Sequence, residues 1–365
     1  MTKTYIIAEA GVNHNGNKKL ALELIDIASE SGADAIKFQT FVSENLVTPY
    51  AKQAAYQSFN SGVKESQYKM LKKLELESEF YFDLESRCKQ RRIDFLSTAF
   101  DQDSLNFLLS NFNLKYLKVP SGEITNGPFL LSHALTGKKI ILSTGMSNIR
   151  EIEKALSILA FGYLKKNKTK NFIEKDFFDA FNSSEGKKIL KKKVTILHCT
   201  SNYPAEINEI NLGAMETLRD KFNTKIGYSD HSEGFLASLS ASILGANVIE
   251  KHFTKNKNQS GFRDHKISAD PDEFSKMVKS IRDVELMLGS GEKIIQNPEK
   301  KIKLSVRRSI VTKHKIKKGT TLSIDDISWV RPGGGLSSEE TENIIGKIVK
   351  EDLYEGQKIS YDQLG

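Results

Sequence analysis

Eight short apolar runs, each breaking off into polar, glycine-bearing or ionisable residues, recur between Thr4 and Thr254 of this 365-residue chain, and they limit its fold more than any other feature. They are TYIIAEAG from Thr4, AIKFQT from Ala35, DFLSTAF from Asp94, YLKVPSG from Tyr116, KIILSTG from Lys139, VTILHCT from Val194, KIGYSDH from Lys225 and VIEKHFT from Val248. Shortness and β-branched content mark them as strands. Segments of helical period lie between them, among them KKLALELIDIASESGA from Lys18, SEFYFDLESRCKQRR from Ser78 and SEGFLASLSASILGA from Ser232. Strands that alternate with helices pair in parallel through right-handed crossovers. Eight such units before Gly289 fit an α/β chain closed into a (β/α)8 TIM barrel, where chemistry gathers at the C-terminal strand ends. An open doubly wound sheet would instead call for a glycine-rich phosphate fingerprint after the first strand, and the first run carries none.

The stretch DPDEFSKMVKSIRDVELML from Asp270 has the period of a closing helix, which sets the barrel at residues 1–288. GSGEKIIQNPEKKIKL then reads as an exposed linker over 289–305. From about Val306 the texture changes to short strands and tight turns, RRSIVTKHKIKKGTTLSIDDISWVRPGGGLS, followed by a helix near Ser338 to Ile345 and by GKIVKEDLYEGQKIS. Residues 306–365 are therefore expected to form a small β-rich domain. At that size its stability alone is marginal, so packing against a barrel, in this chain or a partner, is expected.

Composition narrows the function classes. The chain is 39% hydrophobic, enough for a large core, and no stretch approaches the roughly 18 apolar residues of a membrane span, so it reads as cytoplasmic. Cys88 and Cys199 sit in unrelated contexts, which suggests neither a disulfide framework nor a cysteine metal cluster. The net charge of +8 is mostly local: residues 163–193 hold ten Lys against four Asp and Glu. That stretch pairs its lysines with an apolar patch of Phe172, Ile173, Phe177, Phe178 and Phe181, which suits a short amphipathic helix inside a long surface loop. None of the usual nucleic-acid-binding motifs accompanies it, so neither nucleic acid nor membrane is expected as a partner.

Residues two apart on a strand share a face, so Glu250 and His252 point one way while Lys251 points the other, and Ser229 shares a face with His231. Two imidazoles from neighbouring strands could share one divalent metal and leave positions open for water and substrate. His198, beside Cys199 in an apolar strand, reads as a core residue. Lys37 and Lys118 close the second and fourth runs, and each ammonium needs an anionic partner if buried. With the hydroxyls of Thr98, Ser121, Ser143 and Ser229 they could cradle a phosphate and a carboxylate. Two alternatives stay open: internal pairing of the lysines with Glu9, Glu123 and Glu250, and a lysine that forms a Schiff base with a carbonyl substrate.

In order along the chain stand AEAGVNHNG, KFQTF, LSTAFD, KVPSGE, ILSTGM, LHCTSNYP, IGYSDHS, IEKHFT, SGFRDH and a terminal RPGGG with GK and EGQ turns. Through them nearly the whole chain resembles the sialic acid synthase family of N-acetylneuraminate, legionaminate and pseudaminate synthases, whose phosphoenolpyruvate-using barrel is followed by an antifreeze-like (SAF) domain. The resemblance implies that His231 and His252 bind manganese or magnesium and that Lys37, Thr98, Lys118, Ser121, Ser143 and Ser229 hold phosphoenolpyruvate. It places Glu9, Gln39, Tyr203, Glu250 and Asp264 around the sugar and the attacking water, with Glu9, Glu250, Lys37 and Lys118 as the catalytic set. It further implies a domain-swapped homodimer in which Arg331 meets the sugar's acetamido group. The reaction expected first is condensation of phosphoenolpyruvate with N-acetylmannosamine to N-acetylneuraminate and phosphate. The alternative acceptor is 2,4-diacetamido-2,4,6-trideoxymannose, which gives N,N'-diacetyllegionaminate. A Schiff-base pyruvate aldolase and a carbohydrate- or ice-binding module on an inert barrel are the remoter readings. AEAGVNHNG and KFQTF stand nearer the neuraminate and legionaminate branches than the pseudaminate branch. Three features depart from the pattern: Ser201 where several relatives have Asn, the lengthened Ser260–His265 segment, and the lysine-rich insertion.

Overall fold

The structure, a computed structural model, describes residues 3–52, 65–165, 172–258 and 264–365. All eight runs fold as strands: β1 (Tyr5–Gly11), β2 (Ala35–Thr40), β3 (Asp94–Ala99), β4 (Tyr116–Val119), β5 (Lys139–Ser143), β6 (Val194–His198), β7 (Lys225–Asp230) and β8 (Val248–His252). They pair in parallel in chain order, and β8 returns to β1 to close the barrel.

The two-residue period of a strand divides this barrel into layers. Ile7, Ala35, Leu96, Ile141, Leu197 and Val248 form a separate inner cluster that plugs the lumen. Two residues further along the same strands, on the same inner face, stand Glu9, Lys37, Thr98, Ser143, Cys199 and Glu250. The apolar plug thus forms the floor beneath an ionisable layer. Gly227 belongs to the floor, and any Cβ there would stand 2.4 Å from the Val248 carbonyl oxygen and 2.6 Å from Leu197 Cδ2. Residues of opposite parity, such as Ile6, Ile36, Leu117, Ile140, Ile196 and Ile249, join the main core against helix residues that include Leu24, Leu84, Leu156 and Met277. Burial of such side chains, about 1.5–3 kcal/mol each, is the main force holding helices to sheet.

Side-chain caps define several helices. Asn17 caps the helix Lys18–Glu30, and Asp270 caps the closing helix Pro271–Leu288, whose proline lies in the first turn, where its missing N–H costs nothing. The segment from Ser232 differs from its sequence reading: its helix runs only over Leu236–Ile243, because Gly234 takes φ +70° and Ser232 is held by side chains described below. The insertion, expected as one short helix in a loop, contains two helices among its described residues, Glu174–Asn182 and Ser184–Lys193. Its apolar patch also splits. Phe161 of the preceding helix packs on Phe177 and Phe172 at ring separations of 5.0 and 5.6 Å, while Ile173 and Phe178 face solvent. Among the described residues no helix is long and apolar enough to cross a membrane.

The chain divides into two compact units, Met1–Gly289 and Ser290–Gly365. The second begins with a helix, Asn297–Val306, in the stretch read as linker, started by a capping box of Gln296 and Glu299 and by Pro298. It buries no residue, so the stretch lacks the apolar stripe that marks a helix in sequence. Beyond it β9 (Ser309–Thr312) and β10 (Ile327–Val330) pair antiparallel, and short bridges tie Val311 to Lys358, Ile316 to Leu353 and Val349 to Leu364. Ile310, Ile316, Leu322, Ile327, Val349 and Leu353 form the core of this unit.

Candidate active site

Four ionisable side chains meet above the apolar floor. Lys37 Nζ lies 2.5 Å from Glu9 Oε2 and 3.6 Å from Glu250 Oε2, and it donates a hydrogen bond to Thr98 Oγ1 at 2.9 Å. Lys118 Nζ is 3.2 Å from Glu250 Oε1, which also accepts from Ser229 Oγ at 3.0 Å. Gln39 donates from Nε2 to Glu9 Oε1 at 3.3 Å. All four charged groups are at least nine-tenths buried. The lysines are therefore paired internally, one of the alternatives their sequence positions left open. Of the three glutamates, Glu9 and Glu250 are their partners, while Glu123 accepts from Asn126 Nδ2 beyond β4.

The two carboxyls experience different surroundings. Burial pushes Glu9 above the usual carboxylate range by more than Lys37 pulls it down, and the Glu250 charge adds to the rise. Burial acts on Glu250 in the same direction, but Lys118 and Lys37, with Ser229, outweigh it and hold this carboxyl at about 2. Burial also lowers Lys118, which Glu250 offsets only in part, whereas for Lys37 the two glutamates overcome burial and raise it. The cluster accordingly separates a fixed anion, Glu250, from a carboxyl poised to carry a proton, Glu9.

At the mouth of β7 and β8 the rings of His231 and His252 stand 5.5 Å apart, and Tyr203 lies over both at 4.4 and 6.0 Å. His231 Nδ1 is 2.7 Å from the Thr200 carbonyl oxygen; a carbonyl only accepts, so the proton is on Nδ1 and the Nε2 lone pair is left toward the lumen. Tyr203 Oη is 3.4 Å from that Nε2. Burial lowers both imidazoles, His252 to about 4, so both are neutral near pH 7. Among the described residues, buried His252 Nδ1 and Ser143 Oγ have no hydrogen-bond partner, an arrangement that costs free energy unless a ligand completes it. A neutral imidazole pair with lone pairs available fits a divalent cation. Among the described residues no cluster of three or more His, Cys, Asp or Glu side chains does, so such an ion would take its remaining ligands from substrate and water.

The remaining sequence-derived candidates distribute as follows. Ser121 follows β4, where its Oγ accepts from Gly145 N at 3.0 Å and lies 3.3 Å from Cys199 Sγ. A Cβ on Gly145 would stand 2.1 Å from Ser201 Oγ and 2.9 Å from Ser121 Oγ, so a larger residue there would displace these hydroxyls. Asp264 begins a short helix after β8 and acts electrostatically on His252, while residues 260–263 of the lengthened segment lie outside the described residues. Arg331 belongs to the second unit, exposed at the end of β10 before a cis Arg331–Pro332 bond. The Nε2 of His198 meets the Ile210 carbonyl oxygen at 2.7 Å. The loops after β5 and β6, with the first turns of the helices that follow them, line an open groove of about 1000 Å3 that includes Thr144, Ser147, Glu151, Cys199, Ser201 and Thr217 and none of the four charged groups. Sequence reasoning missed Gly145 as a donor and missed the partner of Lys251. Both are set by contacts between strands, which face parity does not reveal.

Known proteins share this architecture. The chain is 44% identical over 98% of its length to the N,N'-diacetyllegionaminic acid synthase of Campylobacter jejuni, covering 99% of that protein. It is 42% identical to the synthase of the same name from Legionella pneumophila, over 99% of this chain and 94% of that one. Among solved structures, the N-acetylneuraminic acid synthetase of Leptospira borgpetersenii superposes with a TM-score of 0.65 at 32% identity, over 82% of this chain and 90% of that one. The SAF domain model matches residues 307–365, the small β-rich unit. With the NeuB family model matched over residues 24–293, a span that holds β2 to β8 and every charged group of the layer except Glu9, the chain belongs to the NeuB family of sugar acid synthases.

Proposed function

We propose that this enzyme condenses phosphoenolpyruvate with 2,4-diacetamido-2,4,6-trideoxymannose and water, giving N,N'-diacetyllegionaminate and phosphate. The observation that carries the choice of sugar is the 44% identity, end to end, with an N,N'-diacetyllegionaminic acid synthase. N-acetylmannosamine, the acceptor expected first from the motifs, becomes the second reading, supported by the 32% identity to an N-acetylneuraminic acid synthetase.

The lumen suits the proposed chemistry. Lys37 and Lys118 would offset the charge of phosphate and carboxylate, and Ser143 Oγ, buried without a partner among the described residues, is a hydroxyl available to the same ligand. The methylene carbon of phosphoenolpyruvate forms the new C–C bond to the sugar aldehyde as its double bond is consumed, which leaves an oxocarbenium at the adjacent carbon. Water adds there and gives up a proton; the C–O bond to phosphate then breaks and leaves a ketone. Glu9 is the better proton acceptor, because its raised pKa makes it the stronger base while Glu250 is committed to two lysines and Ser229. A divalent ion held by His231 and His252, manganese or magnesium, would act as a Lewis acid on the aldehyde oxygen. On the family resemblance, the proposal includes a homodimer, Arg331 as the acetamido contact, and Gln39, Tyr203 and Asp264 as sugar contacts.

Lys118, lowered by burial, also supports the Schiff-base reading, since a depressed pKa makes an amine nucleophilic. One experiment separates the three readings. Phosphate release is followed with each sugar in manganese and in chelator, alongside borohydride treatment with pyruvate. The proposal requires metal-dependent release with a higher kcat/KM for the diacetamido sugar and no trapped lysine. A preference for N-acetylmannosamine would restore the second reading, and a trapped lysine without phosphate release would overturn both.

A further inference from the structure

Behind the two imidazoles, on the opposite face of the same strands, lies an ion pair that the proposed chemistry does not touch. Asp230 and Lys251 are 0% and 1% exposed, and their ionised groups stand 3.2 Å apart. Asp230 Oδ1 accepts from the backbone N–H and the hydroxyl of Ser232, at 2.9 and 2.7 Å, and Oδ2 accepts from Ser238 Oγ at 2.6 Å. Lys251 donates to the Ser232 carbonyl oxygen. Both backbone groups of Ser232 are thereby held, one by each member of the pair.

The location gives this network its consequence. Asp230↔Lys251 is the last register pair between β7 and β8. His231 follows the end of β7 and has no register partner of its own on β8, while His252 pairs on its other side with Glu9 of β1. His231 is tied toward β6 by its own ring and by the Ala205 N–H that its carbonyl accepts at 3.0 Å. Toward β8, Asp230 and Lys251 add a side-chain link by holding Ser232, the residue that follows it. A buried ion pair is weak evidence of stabilisation, since an apolar pair of similar volume is often as stable, so its use here is sought in geometry.

We propose that Asp230 and Lys251 are positioning residues that set the separation of His231 and His252 for a divalent cation, a proposal that rests on the two-histidine reading of the metal site. Neither touches the cation; each acts through Ser232 on the ring next to it in the chain. Removing one charge alone strands the other, so Lys251→Met is paired with the neutral double variant Asp230→Asn/Lys251→Met. Ser238→Ala, which takes away one hydroxyl and leaves both charges, provides a mild third variant.

The test is a manganese titration of the full-length chain without substrates, followed by electron paramagnetic resonance of the free ion, with thermal melting on every variant. The visible spectrum of bound cobalt serves as a second probe that reads ligand geometry. Wild type is expected to bind one ion per chain and His252→Ala none. The double variant should fold yet bind manganese on the order of tenfold or more weakly, with displaced cobalt bands. Ser238→Ala should weaken binding by roughly a few-fold in the same direction. If the folded double variant binds as wild type does with an unchanged cobalt spectrum, the positioning role is wrong and the two-histidine site stands. Should the double variant fail to fold, Ser238→Ala decides: unchanged affinity and spectrum overturn the proposal. If wild type binds no ion, or His252→Ala binds normally, the two-histidine reading fails and the proposal falls with it.

Discussion

At the scale of single residues the lumen is a balance of buried charges, and breaking it should be costly. Lys37→Met leaves Glu9 and Glu250 facing each other with one fewer cation, and loss of one partner from a buried pair costs about 3–5 kcal/mol. Urea denaturation should show a loss of that size, and adding Glu9→Gln should recover much of it without restoring turnover. No recovery would mean that the two groups are not coupled as their separation indicates. The membership of this layer could be read from sequence, because alternate residues at the strand ends must share a face. Which lysine meets which carboxylate could not. Glu123 looked equivalent to Glu9 and Glu250, yet it lies past the end of β4, where a turn sends it to Asn126. Lys251 was read correctly as facing away from its neighbours Glu250 and His252. Its partner Asp230 stayed hidden because register between strands, which decides who stands opposite whom, is a property of the closed sheet.

At the scale of elements, all eight strands were legible, since each is a short β-branched run with an abrupt polar end. Helix limits were less so. The segment from Ser232 has helical period, but its first residues are used to hold the β7 turn, and the helix Asn297–Val306 has caps without a buried face. The insertion helix Glu174–Asn182 packs on the outer layer through Phe177, Ala180 and Phe181, and Phe177 lies edge-on to Phe161 at 5.0 Å. Phe177→Ala should cost about 1–2 kcal/mol, less than a fully buried phenylalanine, and leave kcat/KM within about twofold of wild type. Thermal melts with steady-state assays check both halves. A large fall in kcat/KM at full folding would show that the insertion reaches the chemistry.

At the scale of the molecule, neutral buried histidines make stability depend on acid. Burial holds His14 and His133 near 4, below the ordinary 6.5, and His133 donates from Nδ1 to the Phe129 carbonyl at 2.8 Å. Unfolding below pH 6.5 therefore takes up protons that the folded chain refuses. The stability they contribute is present above about 6.5 and is lost as pH falls toward about 4, roughly 1–3 kcal/mol for each histidine. Guanidinium melts across that window should show the slope, and His133→Gln should flatten it; an unchanged slope would place the protons elsewhere. The identity of the sugar was not legible in the strand ends, and the proposed acceptor rests instead on end-to-end likeness to relatives. The most direct test of the proposed reaction follows an oxygen atom. Phosphoenolpyruvate labelled with oxygen-18 at the bridge between carbon and phosphorus is turned over with the diacetamido sugar, and the products are weighed by mass spectrometry. Attack of water on carbon with loss of phosphate predicts the label in phosphate and none in the sugar acid. Label retained in the sugar acid, or no phosphate at all, would contradict it.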